Sequence, residues 1–142
     1  MMAEKAPGGS FILEIVTPTR SVLKEETYLV LLPAAKGYLS AMSSHLPLIS
    51  TLRPGILEFM GRKRQLSLFV EGGFVEILPD KVTVLAERVE TEDEIDIERA
   101  KALKAEAEEK LKTATDKDRE PFLAYEEATQ KLLLLDKRHF VL

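Results

Sequence analysis

The chain has 142 residues, of which 45% are hydrophobic and 31% charged, a composition typical of a soluble globular protein with one domain, or one domain and an appendage. Its net charge of −4 gives no reason to expect nucleic-acid binding, and the lack of cysteine excludes disulfides and thiol chemistry. No apolar run is long enough to cross a bilayer.

The first part of the chain has the pattern of β-structure. Residues 1–10 lack the apolar stretch of a signal peptide and are expected to form a flexible lead-in. From residue 11, apolar and polar residues alternate in short runs broken by proline and glycine, which is typical of strands. The polar segments 61–64 and 79–81 each lie between two such runs and predict β-hairpins. Short connections without helices predict an antiparallel β-sandwich or barrel over residues 11–90, and runs with apolar residues on both faces favour the sandwich.

The second part has the pattern of helices. All seven glycines occur at or before Gly73, and from about residue 90 alanine, glutamate, lysine and leucine dominate. An α-helical hairpin is therefore predicted over 91–142, with a first helix over 97–112 capped by Asp96 and a second helix capped by Asp118. The predicted fold class is β+α, an N-terminal antiparallel β-sandwich followed by a C-terminal helical hairpin. Two helices bury little core alone, so the hairpin should be marginal unless it docks on the sandwich or on a partner.

Candidate catalytic residues are absent from this pattern. Gly72 and Gly73 are not followed by the Lys-Ser/Thr of a phosphate loop, so a bulge or a close backbone approach in a strand is the favoured interpretation. His45 and His139 lack the spacing of metal ligands. The acid-rich segment 87–98 is expected to be a solvated junction that also caps the first helix. The sequence thus predicts neither a catalytic site nor a metal site.

Several motifs occur in a characteristic order along the chain. They are Phe11-x-Leu13-x-Ile15-Val16-Thr17-Pro18, His45-Leu46-Pro47-Leu48, Leu52-Arg53-Pro54-Gly55, Val70-Glu71-Gly72-Gly73-Phe74 and Ile95-Asp96-Ile97-Glu98-Arg99-Ala100. In this order and spacing the chain resembles the epsilon subunit of the bacterial rotary (F-type) ATP synthase, from about residue 11 into the C-terminal helix. The lack of a transit-type leader is expected to favour the bacterial form over the chloroplast and mitochondrial relatives.

The resemblance implies a non-catalytic central-stalk subunit that couples rotation to ATP synthesis in a proton-translocating enzyme. It implies a peripheral position on the cytoplasmic face of the bacterial plasma membrane, with the membrane contacted only through the complex. The implied partners are the gamma subunit, the c-ring and, through the hairpin, the catalytic alpha/beta hexamer. The hairpin is implied either to fold on the sandwich or to extend along gamma and inhibit ATP hydrolysis. In the extended state, the side chains expected to pair with acidic residues of the beta subunits are Lys131, Lys137 and Arg138.

The resemblance also implies an interface with the c-ring. The segment from His45 through Leu46 and Pro47 to Leu48 matches the family loop near that ring, although a role in turn and core is an equal alternative for Pro47 and Leu48. Where the family usually carries an acidic residue, this chain has Tyr38, which would offer an amphipathic contact instead.

A nucleotide site is the weaker implication. Asp96 and Arg99 match the ATP-binding motif of some members, in which further arginines hold the phosphates. At the approximately aligned positions this chain has Glu106, Glu127 and Lys131, and two carboxylates would repel a polyphosphate. The preferred interpretation is that Asp96 is a helix cap and that no cofactor is required, with weak ATP binding left open.

Two alternatives of other classes stay open at this point. A stand-alone nucleotide sensor on the same hairpin predicts tight ATP binding by the isolated chain. A generic adaptor that joins unrelated proteins predicts no binding to gamma. In each case the isolated chain is expected to have no ATPase activity, because it lacks a Walker loop.

Overall fold

The computed structural model describes residues 9–136. Within them the strands are β1 (Phe11–Val16), β2 (Ser21–Ala34), β3 (Gly37–Ala41), β4 (Leu48–Thr51), β5 (Gly55–Gly61), β6 (Gln65–Glu71), β7 (Phe74–Ile77), β8 (Lys81–Leu85) and β9 (Arg88–Glu90). A short 3-10 helix (Glu92–Glu94) leads to α1 (Ile97–Leu111) and α2 (Arg119–Leu135). The predicted β+α order is confirmed, whereas most of the predicted lead-in, residues 1–8, lies outside the described residues.

The long strand β2 joins the two layers of the β domain. Its first half pairs with β1, and its second half pairs with β3 and β5. The strand order is β4-β7-β8-β1-β2-β5-β6-β9, with β3 added beside β2. Both layers contribute fully buried side chains to one core, among them Leu13, Ile15, Leu57, Phe59 and Val84. The predicted hairpins β5–β6 and β7–β8 are confirmed.

One strand pairing differs from the predicted antiparallel arrangement. β1 pairs with β8 in parallel, with Ile12 opposite Lys81 and Val16 opposite Leu85. The other ladders of the described chain are antiparallel, and no helix occurs between β3 and β8. The alternation of apolar residues specifies which side chains face the core, and this alternation is the same for parallel and antiparallel neighbours. Strand direction at this one ladder was therefore not encoded in the pattern.

The pair Gly72 and Gly73 connects β6 to β7 at a tight approach between backbones. Both residues have positive φ, +68° and +83°. A β-carbon at Gly73 would lie 1.8 Å from the carbonyl oxygen of Leu85, and the Gly73 carbonyl accepts a hydrogen bond of 3.0 Å from the Leu52 N–H. The interpretation as a close backbone approach is confirmed.

The two helices begin differently. The Asp96 carboxylate accepts a hydrogen bond of 3.0 Å from the Arg99 N–H, so the predicted cap of α1 is confirmed. Asp118 occupies the predicted N-cap position of α2, but the predicted cap bond is absent, because its carboxylate accepts a hydrogen bond of 2.9 Å from the Thr115 N–H instead. Ala107 and Ala128 are buried between the helices, where their small side chains allow a close approach.

The hairpin docks on the sandwich through α2. Leu134, only 1% exposed, packs with Ile56 of β5, Phe69 of β6 and Ile95. This contact satisfies the expectation that so small a hairpin needs a docking surface. Neither described helix is long and apolar enough to cross a membrane.

Candidate functional site

A cleft of about 410 Å³ lies between the edge of the sandwich and the two helices. Its charged lining comes from β9, from the segment before α1 and from both helices, and consists of Arg88, Glu90, Glu94, Asp96, Arg99, Glu127 and Lys131. Four carboxylates thus face three cations. The structure brings Asp96 and Arg99 together with Glu127 and Lys131. It places Glu106 elsewhere, in an exposed ion pair with Lys110 at 3.1 Å on α1.

Lys131 is the most enclosed cation of the cleft. Its Nζ atom lies 2.9 Å from Glu90 Oε1 and 2.9 Å from Glu127 Oε1. The same atom lies 5.1 Å from the centroid of the Phe69 ring, a cation–π distance. The Lys131 side chain is only 13% exposed. Its charge is therefore neutralised by carboxylates of the chain itself.

Arg88 joins the same network from β9. Its guanidinium pairs with Glu71 of β6 and with Glu127 of α2, and its Nε lies 3.6 Å from Glu90. No role was predicted for Arg88 from the sequence, although it is the one arginine among the acids of segment 87–98 and was therefore an available signal. The network ties two strands to α2.

The segment before α1 is held by its own polar contacts. The Glu94 carboxylate accepts hydrogen bonds from the Thr91 hydroxyl at 3.0 Å and from the Thr91 N–H at 3.3 Å, and it pairs with Arg20 at 3.3 Å. These bonds, above all those from Thr91, lower the pKa of Glu94. The acid-rich segment thus serves as a capped junction. Among the described residues, no group of three or more histidine, aspartate or glutamate side chains is placed to hold a metal ion.

The cleft is poorly suited to nucleotide phosphates. Arg99 would face an incoming phosphate together with the carboxylates of Glu94, Asp96 and Glu127, and Lys131 is already paired. We expect ATP to bind the isolated chain no more tightly than about 1 mM, as measured by titration calorimetry. Micromolar binding that is lost in Arg99→Gln but kept in Arg119→Gln, a change outside the cleft, would contradict this expectation.

Glu71 lies beside the docked hairpin, close to both carboxylates and cations of the cleft. Burial raises the pKa of Glu71, the carboxylate of Glu127 raises it further, and Arg88 and Lys131 lower it without cancelling these effects. Because Glu127 belongs to α2, part of this shift depends on docking of the hairpin.

The raised pKa of Glu71 predicts the direction of a pH effect. The folded state binds this proton more tightly than the unfolded chain, so the contribution of Glu71 to the free energy of unfolding is largest below the ordinary glutamate pKa. That contribution is lost as the pH rises through the raised pKa. In urea unfolding measured from about pH 4, just below the ordinary glutamate pKa, to about pH 7, Glu71→Gln should remove this part of the pH dependence. Glu76→Gln on β7 is the control and should retain it.

A second candidate surface is the loop between β3 and β4. The Ser44 N–H donates to the Pro79 carbonyl at 2.7 Å, and the His45 N–H donates to the Met42 carbonyl at 3.3 Å. These bonds fix the loop against the β7–β8 turn, and Leu46 is 80% exposed. The loop therefore presents an apolar side chain on a well-anchored turn.

Tyr38 lies at the other end of β3, away from this loop. Its hydroxyl accepts a hydrogen bond of 3.2 Å from the Ile56 N–H, and burial raises the pKa of Tyr38. Leu48 and Ile49 border the same groove of about 420 Å³ as Tyr38 and follow directly after the loop. The exposed side chains of Tyr38, Leu48 and Ile49 at this groove, together with that of Leu46 on the adjoining loop, are here called the apolar strip.

Of the three residues predicted to act in the hydrolysis brake, only Lys131 lies within the described residues. Lys131 lies in the cleft, engaged with Glu90 and Glu127. Lys137 and Arg138 lie outside the described residues, and their assignment stays a prediction.

This combination of a β-sandwich and a docked helical hairpin matches a known class. Residues 10–92 match the family described as "ATP synthase, Delta/Epsilon chain, beta-sandwich domain". An ATP synthase epsilon chain of Solibacter usitatus is 42% identical over 130 residues, which cover 89% of this chain and 96% of that relative. An ATP synthase epsilon chain of Desulfosudis oleivorans is 39% identical over 103 residues, which cover 71% of this chain and 77% of that relative. The chain belongs to the ATP synthase delta/epsilon family, as the resemblance predicted, and the prediction of a non-catalytic subunit is thereby confirmed.

Solved structures show the same fold at low sequence identity. A chain in the Euglena gracilis mitochondrial ATP synthase (OSCP/F1/c-ring) has a TM-score of 0.78 at 22% identity, covering 89% of this chain and 81% of that one. A chain in the central stalk/c-ring structure of the Tetrahymena thermophila mitochondrial ATP synthase has a TM-score of 0.58 at 14% identity, covering 89% and 94%. At these identities the likeness concerns the fold.

Proposed function

We propose that the chain is a central-stalk subunit of a proton-translocating ATP synthase that couples rotation to ATP synthesis and restrains ATP hydrolysis through its hairpin. Its proposed partners are the gamma subunit, the c-ring and, when the hairpin extends, the catalytic alpha/beta hexamer. Its proposed place is the cytoplasmic face of the bacterial plasma membrane, where it is peripheral. Family membership supports the assignment to the enzyme.

The regulatory part of the proposal rests on one observation. The hairpin is attached to the sandwich by a small apolar contact around Leu134 and by ion pairs at its margin. An attachment of this size can be released without unfolding the sandwich, whose own core is separate. Such a hairpin has the properties of a moving part.

The c-ring contact is proposed for the apolar strip. Leu46 projects from an anchored turn, and Leu48, Ile49 and Tyr38 extend the exposed apolar surface beside it. Exposed apolar side chains in one strip are typical of a protein contact. His45 and Pro47 shape the turn that carries Leu46.

A substitution in the strip tests this contact. Leu46→Glu should lower recovery of c subunits in a pull-down from detergent-solubilised membranes by on the order of tenfold, because a carboxylate would be buried against an apolar surface. Thermal stability of the isolated chain should stay unchanged, since Leu46 is exposed.

The matched control is Leu123→Glu, which makes the same change at an exposed leucine of α2. It should leave c-subunit recovery at the wild-type level. Equal recovery with Leu46→Glu would place the c-ring contact elsewhere, and failure of the wild-type chain to recover gamma or c subunits would refute the proposed function itself.

A further inference from the structure

Lys131 of α2 makes two ion pairs, and only one of them would break if the hairpin left the sandwich. Lys131 and Glu127 are four residues apart on α2, so their contact travels with the helix. Glu90 is part of β9, so its contact with Lys131 crosses from the sandwich to the hairpin. Of these two carboxylates bound by Lys131, Glu90 is the one that resists separation.

The crossing pair is well shielded from solvent. The side chains of Lys131 and Glu90 are 13% and 19% exposed, far less than those of Arg53 and Glu126, which make another crossing pair at 53% and 28%. Shielding weakens screening by water and salt, so the Lys131–Glu90 pair should contribute more than an ordinary surface pair. The Phe69 ring beside Lys131 adds a cation–π contact from the sandwich side.

The neighbouring apolar contact is small. Leu134 is the deeply buried leucine of α2 in this contact, and it meets Ile56, Phe69 and Ile95. Because so few side chains form the apolar contact, we expect the shielded ion pairs to make a measurable contribution to the docking free energy.

We propose that Lys131 and Glu90, with Phe69, form a nucleotide-independent latch that holds the hairpin on the sandwich, and that Glu90 competes with any anionic partner surface for the same ammonium group. When Lys131 engages another protein, the latch must already be open. The effect on hydrolysis rests on the proposed function, whereas the latch itself does not.

The latch can be tested on the isolated full-length chain. Because the chain contains no cysteine, single cysteines at Lys63 in the β5–β6 turn and at Lys117 in the helix–helix turn allow two spin labels to be placed selectively. Double electron–electron resonance spectroscopy then gives the distribution of distances between the label on the sandwich and the label on the hairpin. The wild-type latch predicts one dominant docked distance, with or without ATP.

Glu90→Gln removes the charge and keeps the shape of the side chain. It should raise the undocked-to-docked ratio roughly fivefold, the change expected for one partly shielded ion pair. Glu106→Gln is the matched control, since it removes a carboxylate from an exposed pair within α1, and it should leave the distribution as in the wild type. Circular dichroism should show unchanged β-structure in both variants.

The outcomes separate the latch from the function it serves. An unchanged distribution in Glu90→Gln, or a docked fraction that rises on addition of ATP, would overturn the nucleotide-independent latch. Undocking in Glu90→Gln supports it, and lower ATP hydrolysis by a complex that contains this variant would support the brake as well. Undocking of the isolated chain with unchanged hydrolysis would keep the latch and count against the brake.

Discussion

Removal of residues 120–142 is expected to raise ATP hydrolysis by the whole enzyme several-fold while ATP synthesis continues. The deletion takes away Lys131 together with Lys137 and Arg138, the cations proposed to contact the catalytic hexamer. The apolar strip and the core of the sandwich stay in place. The measurement is membrane ATPase activity at low ATP without a proton gradient, where inhibition by an extended hairpin should be strongest.

The deletion has one structural side effect that its control must cover. It uncovers Ile56, Phe69 and Ile95, which Leu134 shields in the intact chain. Recovery of gamma with the truncated chain, compared with the full-length chain, measures whether assembly survives this exposure. Unchanged hydrolysis in a fully assembled truncated enzyme would mean that the hairpin is a structural cap and that no brake exists.

Gly73→Ala is expected to destabilise the sandwich by about 3 kcal/mol or more. The new β-carbon would lie 1.8 Å from the Leu85 carbonyl oxygen, a backbone atom of β8 that cannot move without disturbing the sheet. The residue also has φ +83°, which alanine adopts only with strain. The melting temperature should fall by on the order of 10 °C.

Gly37→Ala separates the two causes. Gly37 also has a positive φ, +128°, but a β-carbon there would meet nothing within 4 Å. Its substitution should cost the strain alone, so its melting temperature should lie between those of the wild type and Gly73→Ala. Equal losses in the two variants would show that contact with Leu85 contributes little.

Features that depend on neighbours in the sequence were predictable. The Asp96 cap involves the amide three residues later, and the β5–β6 and β7–β8 hairpins join consecutive strands. Asp118 shows the limit of such reasoning, because an aspartate can bind backward to a turn as readily as forward to a helix. Residue preference at the N-cap indicates that an aspartate is suitable there, but it does not indicate whether its carboxylate binds the turn before the helix or the first turn of the helix.

Features that depend on distant residues were not predictable. Lys131 and Glu90 are 41 positions apart, and nothing in either local pattern indicates that they meet.

Pro33 illustrates a milder case, since a proline inside a run normally ends a strand. The last part of β2, which includes Pro33, still pairs with β3. The ladder between β2 and β5 has already ended at Leu31, so the β5 side of the strand needs no N–H donor at Pro33.

The parallel ladder between β1 and β8 has a consequence for biosynthesis. β1 can form a hairpin with β2 as soon as both have left the ribosome, but its other edge must wait for residues 81–85. During that interval a strand rich in isoleucine and leucine keeps one row of amide and carbonyl groups unpaired, a state that favours misassociation of nascent chains. Closure of the sandwich is therefore a late event of high contact order, and the hairpin is synthesised only after the platform on which it docks can be complete.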